Sequence, residues 1–280
     1  AEDLADPLAP FYDKNSDCIY DPENGDLPAI KMSNGKSTSG QGCWGDKCND
    51  VFTYADEMIF WVMNDVGSDH VNPSTTPIGV QMNCLAFAFK SSDELNNMTF
   101  YTYDVWNKGN VDLDETYMSM YMDSDLGGYD DDYIGCDTVR SLGYVYNGDP
   151  FDEDATVQGY KENVPIFGAD FFEGPKKANG LPIGLSSFVY FVKQQNQPLS
   201  DPSTEIHFRN YQEGKSRLGL PLTKSPDCIT PGNPSTRYCY YGDPSKPGEW
   251  TMCDDNQPKR DLRWAQNSGP FTMGSGMMEK

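Results

Sequence analysis

The sequence predicts an all-β protein, an antiparallel β-sandwich with long calcium-binding loops and one short helix. Apolar residues recur at every second position through most of the segment from 58 to 122, which is the spacing of side chains on one face of a strand. No helical crossover separates these runs, and this favours antiparallel pairing. Two sheets packed face to face would bury both faces of such strands.

Residues typical of turns, mainly Asn, Gly and Asp, bound most of the predicted strands. The run from 78 to 89 is the clearest, because its alternating pattern becomes apolar on both faces at Leu85, Phe87 and Phe89, as in a strand that enters a core. The predicted strands lie at 58–63, 78–89, 100–105, 117–122, 142–147, 166–172 and 188–192.

One helix is predicted near 202–213, with Asp201 as its N-cap and Pro202 in its first turn. It belongs to a loop-rich insertion, 194–260, which we expect to be ordered because Trp250 and three cysteines lie in it. No clean domain boundary is visible. We therefore expect a single β-sandwich domain over 1–280, a fragment of a larger secreted protein.

The composition excludes several classes of partner. The chain of 280 residues has 21 Lys and Arg against 43 Asp and Glu, a formal net charge of −22, and such a field repels phosphate backbones. We therefore expect no nucleic-acid partner. No apolar run approaches the length of about 18 residues that spans a bilayer, so no transmembrane segment is predicted.

The sharpest local pattern is an acidic loop, DKNSDCIYD, at 13–21. Side-chain oxygens at alternate loop positions, with a backbone carbonyl, suit calcium, which takes about six to eight oxygen ligands. Cys18 stands where the sharp turn of such a loop carries glycine, and a solvated acidic turn is the alternative. The predicted calcium ligands are Asp13, Asn15, Asp17, the carbonyl of Ile19, and Asp21.

A second acidic run, DSDLGGYDDD at 123–132, directly follows an apolar strand. Carboxylates at this density repel one another unless they point into water or share a cation. We predict calcium here too, because flexible loops of mixed oxygen donors suit Mg²⁺ less well. A solvated charge run is the alternative, and 147–154 is a third, less specific candidate. The predicted ligands are Asp123, Asp125, Asp131, Asp132 and Asp137.

The chain has eight cysteines, an even number that favours an oxidising compartment when no zinc pattern explains it. Their pairing cannot be read from the sequence. Cys84 and Cys136 lie in strand-like contexts and are interpreted as small buried hydrophobic residues. The candidate disulfide residues are Cys43, Cys48, Cys228, Cys239 and Cys253.

No catalytic residue is predicted, because the only two histidines, His70 and His207, lie in no recognisable catalytic motif. Glycoside hydrolysis needs only two carboxylates, so a polysaccharide ligand stays an alternative. Aromatic residues at strand spacing, such as Tyr101 and Tyr103, are interpreted as core or cross-strand pairs in preference to a sugar-binding platform.

Five segments, in this order, resemble a family of large secreted or surface proteins of the Bacteroidetes and related bacteria. They are DKNSDCIYDPENGDLPAIK, DSDLGGYDDDYIGCDTVRSLGYVYNGD, GADFFEGP, IHFRNYQEG and LRWAQNSGPFTM. The resemblance runs from about residue 11 to the end and implies export by type IX secretion and a surface setting, without naming a reaction. In the family the first loop has Gly at the position of Cys18. Family members also carry a C-terminal sorting domain that is not in this sequence, and their SGPF segment leads into a further strand.

These features predict a non-catalytic, calcium-stabilised extracellular module of a secreted or cell-surface protein, used for adhesion, assembly or matrix contact. Its expected partners are other domains of the same protein or neighbouring surface proteins. One alternative is a polysaccharide-binding or glycoside-hydrolysing domain. The other is a filament or assembly subunit completed by strand addition.

Overall fold

The fold is mostly β, with 37% of residues in strands and 7% in helices. Several antiparallel sheets and one short helix make up an all-β, sandwich-like structure, as the sequence predicts. The structure is a computed structural model. It describes residues 11–17, 19–28, 30–31, 43–44, 51–52, 55–68, 70–71, 73–152, 159–193 and 197–280.

The long strands lie between residues 57 and 273. Short two-residue strands lie before them, after them, or in the segment between residues 192 and 262. The long strands are β6 (Glu57–Asn64), β7 (Val80–Ala88), β8 (Thr99–Asn107), β9 (Leu113–Met122), β10 (Asp132–Asp137), β11 (Leu142–Asn147), β12 (Phe167–Asp170), β13 (Ser187–Val192) and β16 (Leu262–Met273). The short strands are β1 (Phe11–Tyr12), β2 (Leu27–Pro28), β3 (Ile30–Lys31), β4 (Cys43–Trp44), β5 (Val51–Phe52), β14 (Leu222–Thr223), β15 (Ser235–Thr236) and β17 (Met278–Glu279). The α-helix α1 is Glu205–Gln212, and 3-10 turns lie at Pro22–Asn24 and Glu94–Asn97.

Three antiparallel sheets carry the architecture. One has the order β17, β8, β7, β6; a second has the order β13, β16, β9; and a third has the order β10, β11, β12. The strand β16 is central because it pairs with β13 over its first half and with β9 along most of its length. The start of β16 and the end of β9 therefore lie together at one end of the second sheet.

Every strand predicted from alternation is present. The prediction at 142–147 matches β11 residue for residue, and the prediction at 188–192 misses only the first residue of β13. The other predicted strands overlap β6, β7, β8, β9 and β12 with shifts of a few residues at their ends. Side-chain alternation is therefore sufficient to locate strands whose two faces differ in polarity.

The main core lies around β10, β11, β13 and β16. Its largest fully buried side chains include Phe188, Phe191 and Trp264 from the strands. Tyr240 and Met252, from the loop-rich segment, are also fully buried in it. A smaller cluster of Val105, Ile183, Phe271 and Met273 joins the end of β16 to the four-stranded sheet. The interpretation of Cys84 and Cys136 as buried residues is confirmed, at 0% and 1% exposure.

The helix is present but begins later than predicted. Its N-cap is Thr204, whose side chain accepts a hydrogen bond from the His207 N–H, so Asp201 is not the cap. The carbonyl of Asp201 accepts a hydrogen bond from Arg217 instead. With eight residues, α1 is too short to cross a membrane, and no helix in the described part of the chain is long and apolar enough to do so.

Candidate metal centre

A group of three carboxylates forms where β9 ends and β16 begins. Asp123 and Asp125 follow β9, Asp261 directly precedes β16, and one oxygen of each lies within 4.8 Å of the others. The sheet brings them together because Met122 pairs with Trp264 across the β9–β16 ladder. Two of the five ligands predicted for the second acidic run therefore share a centre. Their third partner is a residue that the sequence analysis did not select.

Two basic side chains, Arg263 and Lys193, contact this group. The Arg263 side chain is 8% exposed, and its Nε lies 3.0 Å from Asp123 Oδ2 and its Nη1 2.9 Å from Asp261 Oδ1. Lys193 Nζ lies 3.7 Å from Asp261 Oδ2 at the surface. Within the described part of the chain, Asp125 makes no ion pair or hydrogen bond. The group therefore retains net negative charge.

Both burial and this charge imbalance act on the pKa of Asp125. Partial burial raises the pKa of its carboxyl, and the negative charges of Asp123 and Asp261 raise it further. Arg263 and Lys193 lower this pKa, but they do not reverse the shift. A bound cation would offset the part of this shift that comes from the charges of Asp123 and Asp261.

Asp131 and Asp132 lie on the inner side of the same loop. Asp132 is the first residue of β10 and is 1% exposed, and its Oδ2 accepts a hydrogen bond from the Leu126 N–H at 3.0 Å. Asp131 is 8% exposed. Burial raises the pKa of Asp132 to about 8; the Leu126 hydrogen bond opposes this shift, and the charges of Asp131, Asp152 and Asp125 add to it.

Asp152 organises this inner side. It is fully buried, and its carboxylate accepts hydrogen bonds from the backbone N–H groups of Gly128 at 2.7 Å and Tyr160 at 2.6 Å. It lies in the third candidate segment, 147–154, of which residues 153 and 154 are outside the described residues. Asp152 therefore fixes the glycine turn that separates the outer carboxylates from the inner ones.

Asp137 has a local role at the end of β10. Its Oδ1 accepts hydrogen bonds from the N–H groups of Val139 and Arg140, and its Oδ2 lies 2.5 Å from Arg140 Nη1. Partial burial acts to raise its pKa, but the bonds from Arg140 and Val139 outweigh this and lower it. The structure thus places Asp137 in the β10–β11 turn, with Arg140 as its counter-ion, and outside the three-carboxylate group.

The first acidic loop is held by its own hydrogen bonds. Asp13 Oδ1 accepts from the Ser16 N–H, and Asp17 Oδ1 accepts from the Ile19 N–H, both at 2.7 Å. Asn15 donates its amide to Asp17 Oδ2, and Asp21 caps the 3-10 turn by accepting from the Glu23 N–H. These carboxylates do not form a three-carboxylate group among the described residues, so the calcium site predicted here stays a prediction.

A residue outside the predicted set closes this loop. Asp26 is 1% exposed and accepts hydrogen bonds from the N–H groups of Lys14 at 3.0 Å and Asp21 at 2.8 Å. Asp26 was not predicted because the 3-10 turn at Pro22–Asn24 separates it in sequence from the alternating oxygen side chains of the loop. It ties the two ends of the loop together.

The cysteines whose side chains the structure describes, Cys84, Cys136, Cys228, Cys239 and Cys253, are free thiols. Cys228 and Cys239 are fully buried and share a side-chain hydrogen bond, whereas Cys253 is exposed. Cys48 and the side chain of Cys43 lie outside the described residues. The disulfides themselves stay a prediction.

The remaining candidates lie away from the carboxylates. Tyr101 and Tyr103 are 56% and 39% exposed and stack on each other along β8, with ring centroids 6.4 Å apart. His70 contacts Thr75 and the carbonyl of Asp65, and His207 contacts Ser203 at the start of α1. The two tyrosines are therefore not core residues, and a polysaccharide ligand stays an untested alternative.

Comparison with protein-family models, with curated proteins and with solved structures gave no match. The choice of metal ion therefore rests on the types of ligand atom in the group. Its three carboxylates supply only hard oxygen ligands, which suit Ca²⁺, Mg²⁺ or Mn²⁺ and lack the nitrogen or sulfur donors that select zinc.

Proposed function

We propose that this chain is a non-catalytic, calcium-stabilised module of a secreted or cell-surface protein. The observation that carries the proposal is the convergence of Asp123, Asp125 and Asp261 within 4.8 Å at one end of the central sheet. A bound cation would join the β9–β10 loop to the start of β16. Surface location and export rest on the resemblance and on the cysteine content.

The mechanism is electrostatic. A divalent cation would neutralise carboxylates that Arg263 and Lys193 balance only in part. Because such an ion binds the folded chain and not the unfolded one, it stabilises by RT ln(1 + [L]/Kd), about 2.7 kcal/mol at a hundredfold excess over Kd. The function is then to keep an exposed acidic end of the sheet folded and rigid where calcium is abundant.

Calcium is favoured over magnesium for a geometric reason. Asp123 and Asp125 lie on the loop after β9 and Asp261 lies on the loop before β16, so none of the three is held within a strand. Flexible oxygen ligands accommodate the larger ion, whereas Mg²⁺ demands near-octahedral geometry and gives up its water reluctantly. We expect calcium to bind more tightly than magnesium.

The test is calorimetric titration of the whole chain with calcium chloride. Asp261→Asn removes one charged ligand while preserving size, and we expect about tenfold weaker binding or more, because affinity at such sites follows the number of charged ligands. Asp130→Asn is the matched control, since Asp130 is exposed on the same loop but outside the group. Equal affinities for wild type and Asp261→Asn would refute a site at this position.

A second function, assembly by strand addition, is favoured by the edge strand β6. It closes one side of the four-stranded sheet and, in the described part of the chain, pairs only with β7. Its eight residues, EMIFWVMN, contain one charge, no proline and no bulge, and Ile59 is 57% exposed. Long apolar edges without such protection are templates for pairing with another strand.

We propose a second copy of this chain as the partner at β6. Antiparallel self-pairing centred on Phe60 would place Glu57 opposite Met63, so no like charges meet. Ile59→Lys should shift the sedimentation of a concentrated sample towards monomer. Ile78→Lys changes the net charge equally at a residue that is 54% exposed and lies outside the strands, and it should leave association unchanged. Wild type that stays monomeric at every concentration would refute this proposal.

A further inference from the structure

Two buried oxygen acceptors belong to the residues that pair at the first rung of the β10–β11 ladder. Asp132 pairs with Asn147 in this antiparallel ladder. Directly opposed residues in such a pair project from the same face of the sheet, with Cβ atoms about 4.5–5.5 Å apart. The side chains of Asp132 and Asn147 are therefore neighbours.

The Oδ1 atom of each of these two side chains has no hydrogen-bond partner. Asp132 Oδ1 and Asn147 Oδ1 are both buried and unsatisfied. Their remaining polar atoms are already used, because Asp132 Oδ2 accepts from the Leu126 N–H and Asn147 Nδ2 donates to the Asp149 carbonyl at 2.9 Å. A buried acceptor without a donor costs about 1–3 kcal/mol, and two adjacent acceptors also repel each other. A cation or a proton shared between these oxygens would relieve both unmatched acceptors.

The surrounding charge favours a cation. The charges that act most strongly on Asp132 are those of Asp131, Asp152 and Asp125, and all three are negative. Asp152 is fully buried, and its carboxylate is held by two backbone N–H groups, so it cannot turn away towards water. Lys259, the cation that faces Asp131, is engaged by Asp149. A single proton on Asp132 would leave this concentration of negative charge largely in place.

We propose that a second divalent cation binds on the inner side of the loop, between Asp132 Oδ1 and Asn147 Oδ1. This inference extends the proposed function, because the inner ion lies beneath the loop that carries the outer group of Asp123, Asp125 and Asp261. The ligand class is the same, a hard cation taken by oxygen donors. The two ions would hold the loop from opposite sides.

The experiment counts calcium ions bound per chain by titration calorimetry with calcium chloride alone. Asp132→Asn should bind one ion fewer than wild type and keep the outer ion, whereas Asp261→Asn should weaken the outer ion and keep the inner one. Asp130→Asn is the control and should match wild type. If Asp132→Asn loses one bound calcium ion and Asp261→Asn binds calcium as wild type does, the inner site is supported and the outer site is refuted. The two proposals therefore fail separately.

The opposite outcome identifies a proton in place of the cation. An asparagine at 132 can donate to Asn147 Oδ1, so under the proton explanation Asp132→Asn would keep the ion count and be at least as stable as wild type in EDTA. That result overturns the proposal. Asn147→Asp provides the second test, because an added carboxylate should tighten inner binding about tenfold. An Asn147→Asp chain that binds calcium no more tightly than wild type also contradicts the inner site.

Discussion

Asp152 shows how one buried carboxylate determines the shape of a functional loop. Its oxygens receive the N–H groups of Gly128 and Tyr160, residues that lie on different segments. Gly127, next to the first of these donors, has φ of +73° and lies so close that a Cβ there would be 1.8 Å from Asp152 Oδ2. Glycine at 127 is therefore required both by backbone conformation and by the space that Asp152 occupies.

We predict that Gly127→Ala destabilises the protein by about 1–3 kcal/mol more than Gly180→Ala. Gly180 has a similar φ of +79°, but a Cβ there would meet nothing within 4 Å, so its substitution isolates the backbone cost. Denaturant unfolding of both variants measures the difference. Equal losses of stability would show that Asp152 can move away and does not fix the turn.

Asp261 shows why the sequence could not assemble the outer group. Asp123 and Asp125 were selected because they are close in the chain, whereas Asp261 lies in the segment DNQPKRDLRW, which reads as an ordinary polar loop. Only the pairing of β9 with β16 brings it to the other two. Asp137 illustrates the reverse case, because proximity in sequence placed it with the ligands although the Arg140 turn takes its carboxylate.

At the scale of elements, β16 owes its position to buried polar side chains. Gln266, Asn267 and Ser268 are fully buried and all are hydrogen-bonded: Gln266 to Trp264 Nε1 and to the Ala169 carbonyl, Asn267 to Ser187 and the Tyr211 carbonyl, and Ser268 to the Ile183 carbonyl. These bonds tie β16 to β13, α1 and the loop before β13. They fix its register in a way that apolar residues alone would not.

Asn267→Ala should therefore destabilise the fold by about 1–3 kcal/mol, since it removes the amide that bonds Ser187 Oγ at 2.9 Å and the Tyr211 carbonyl at 3.1 Å. Thr272→Ala, on the same strand at an exposed position, should change stability by less than about 0.5 kcal/mol. Chemical denaturation measures both. A loss for Thr272→Ala as large as that for Asn267→Ala would contradict this account of β16.

The pattern of polar and apolar residues explains which strands and helices could be predicted from the sequence. Strands with alternating polarity, such as β7 and β11, were located from sequence because one face is more buried than the other. The strand β16 was missed because polar and apolar residues are buried together along it, so its sequence shows no alternation of polarity. The extent of β10 was not predicted, although Cys136 was placed in a strand-like context, because its terminal acids, Asp132 and Asp137, were assigned to an acidic loop. The start of α1 shifted from Asp201 to Thr204, since both residue types can cap a helix.

At the scale of the whole molecule, the net charge is −22, and the acidic side chains differ in how far positive charges or hydrogen bonds compensate them. Many acids form surface ion pairs or take backbone hydrogen bonds, as Asp137 and Asp26 do. The acids around the β9–β10 loop differ, because Asp123, Asp125 and Asp261 lie within 4.8 Å of one another and Asp131 and Asp132, at the far end of that loop, are buried. Repulsion concentrated at one end of a sheet is the feature that a divalent cation would relieve.

The most direct measurement is the thermal unfolding midpoint of the whole chain in excess calcium and in EDTA. The account predicts a higher midpoint in calcium, by roughly 5–10 °C at a hundredfold excess over Kd. It also predicts that this difference is largely lost when Asp123, Asp125 and Asp132 are all changed to Asn. Coincident midpoints for the wild-type chain in calcium and in EDTA would contradict the claim that these carboxylates are a cation-binding centre.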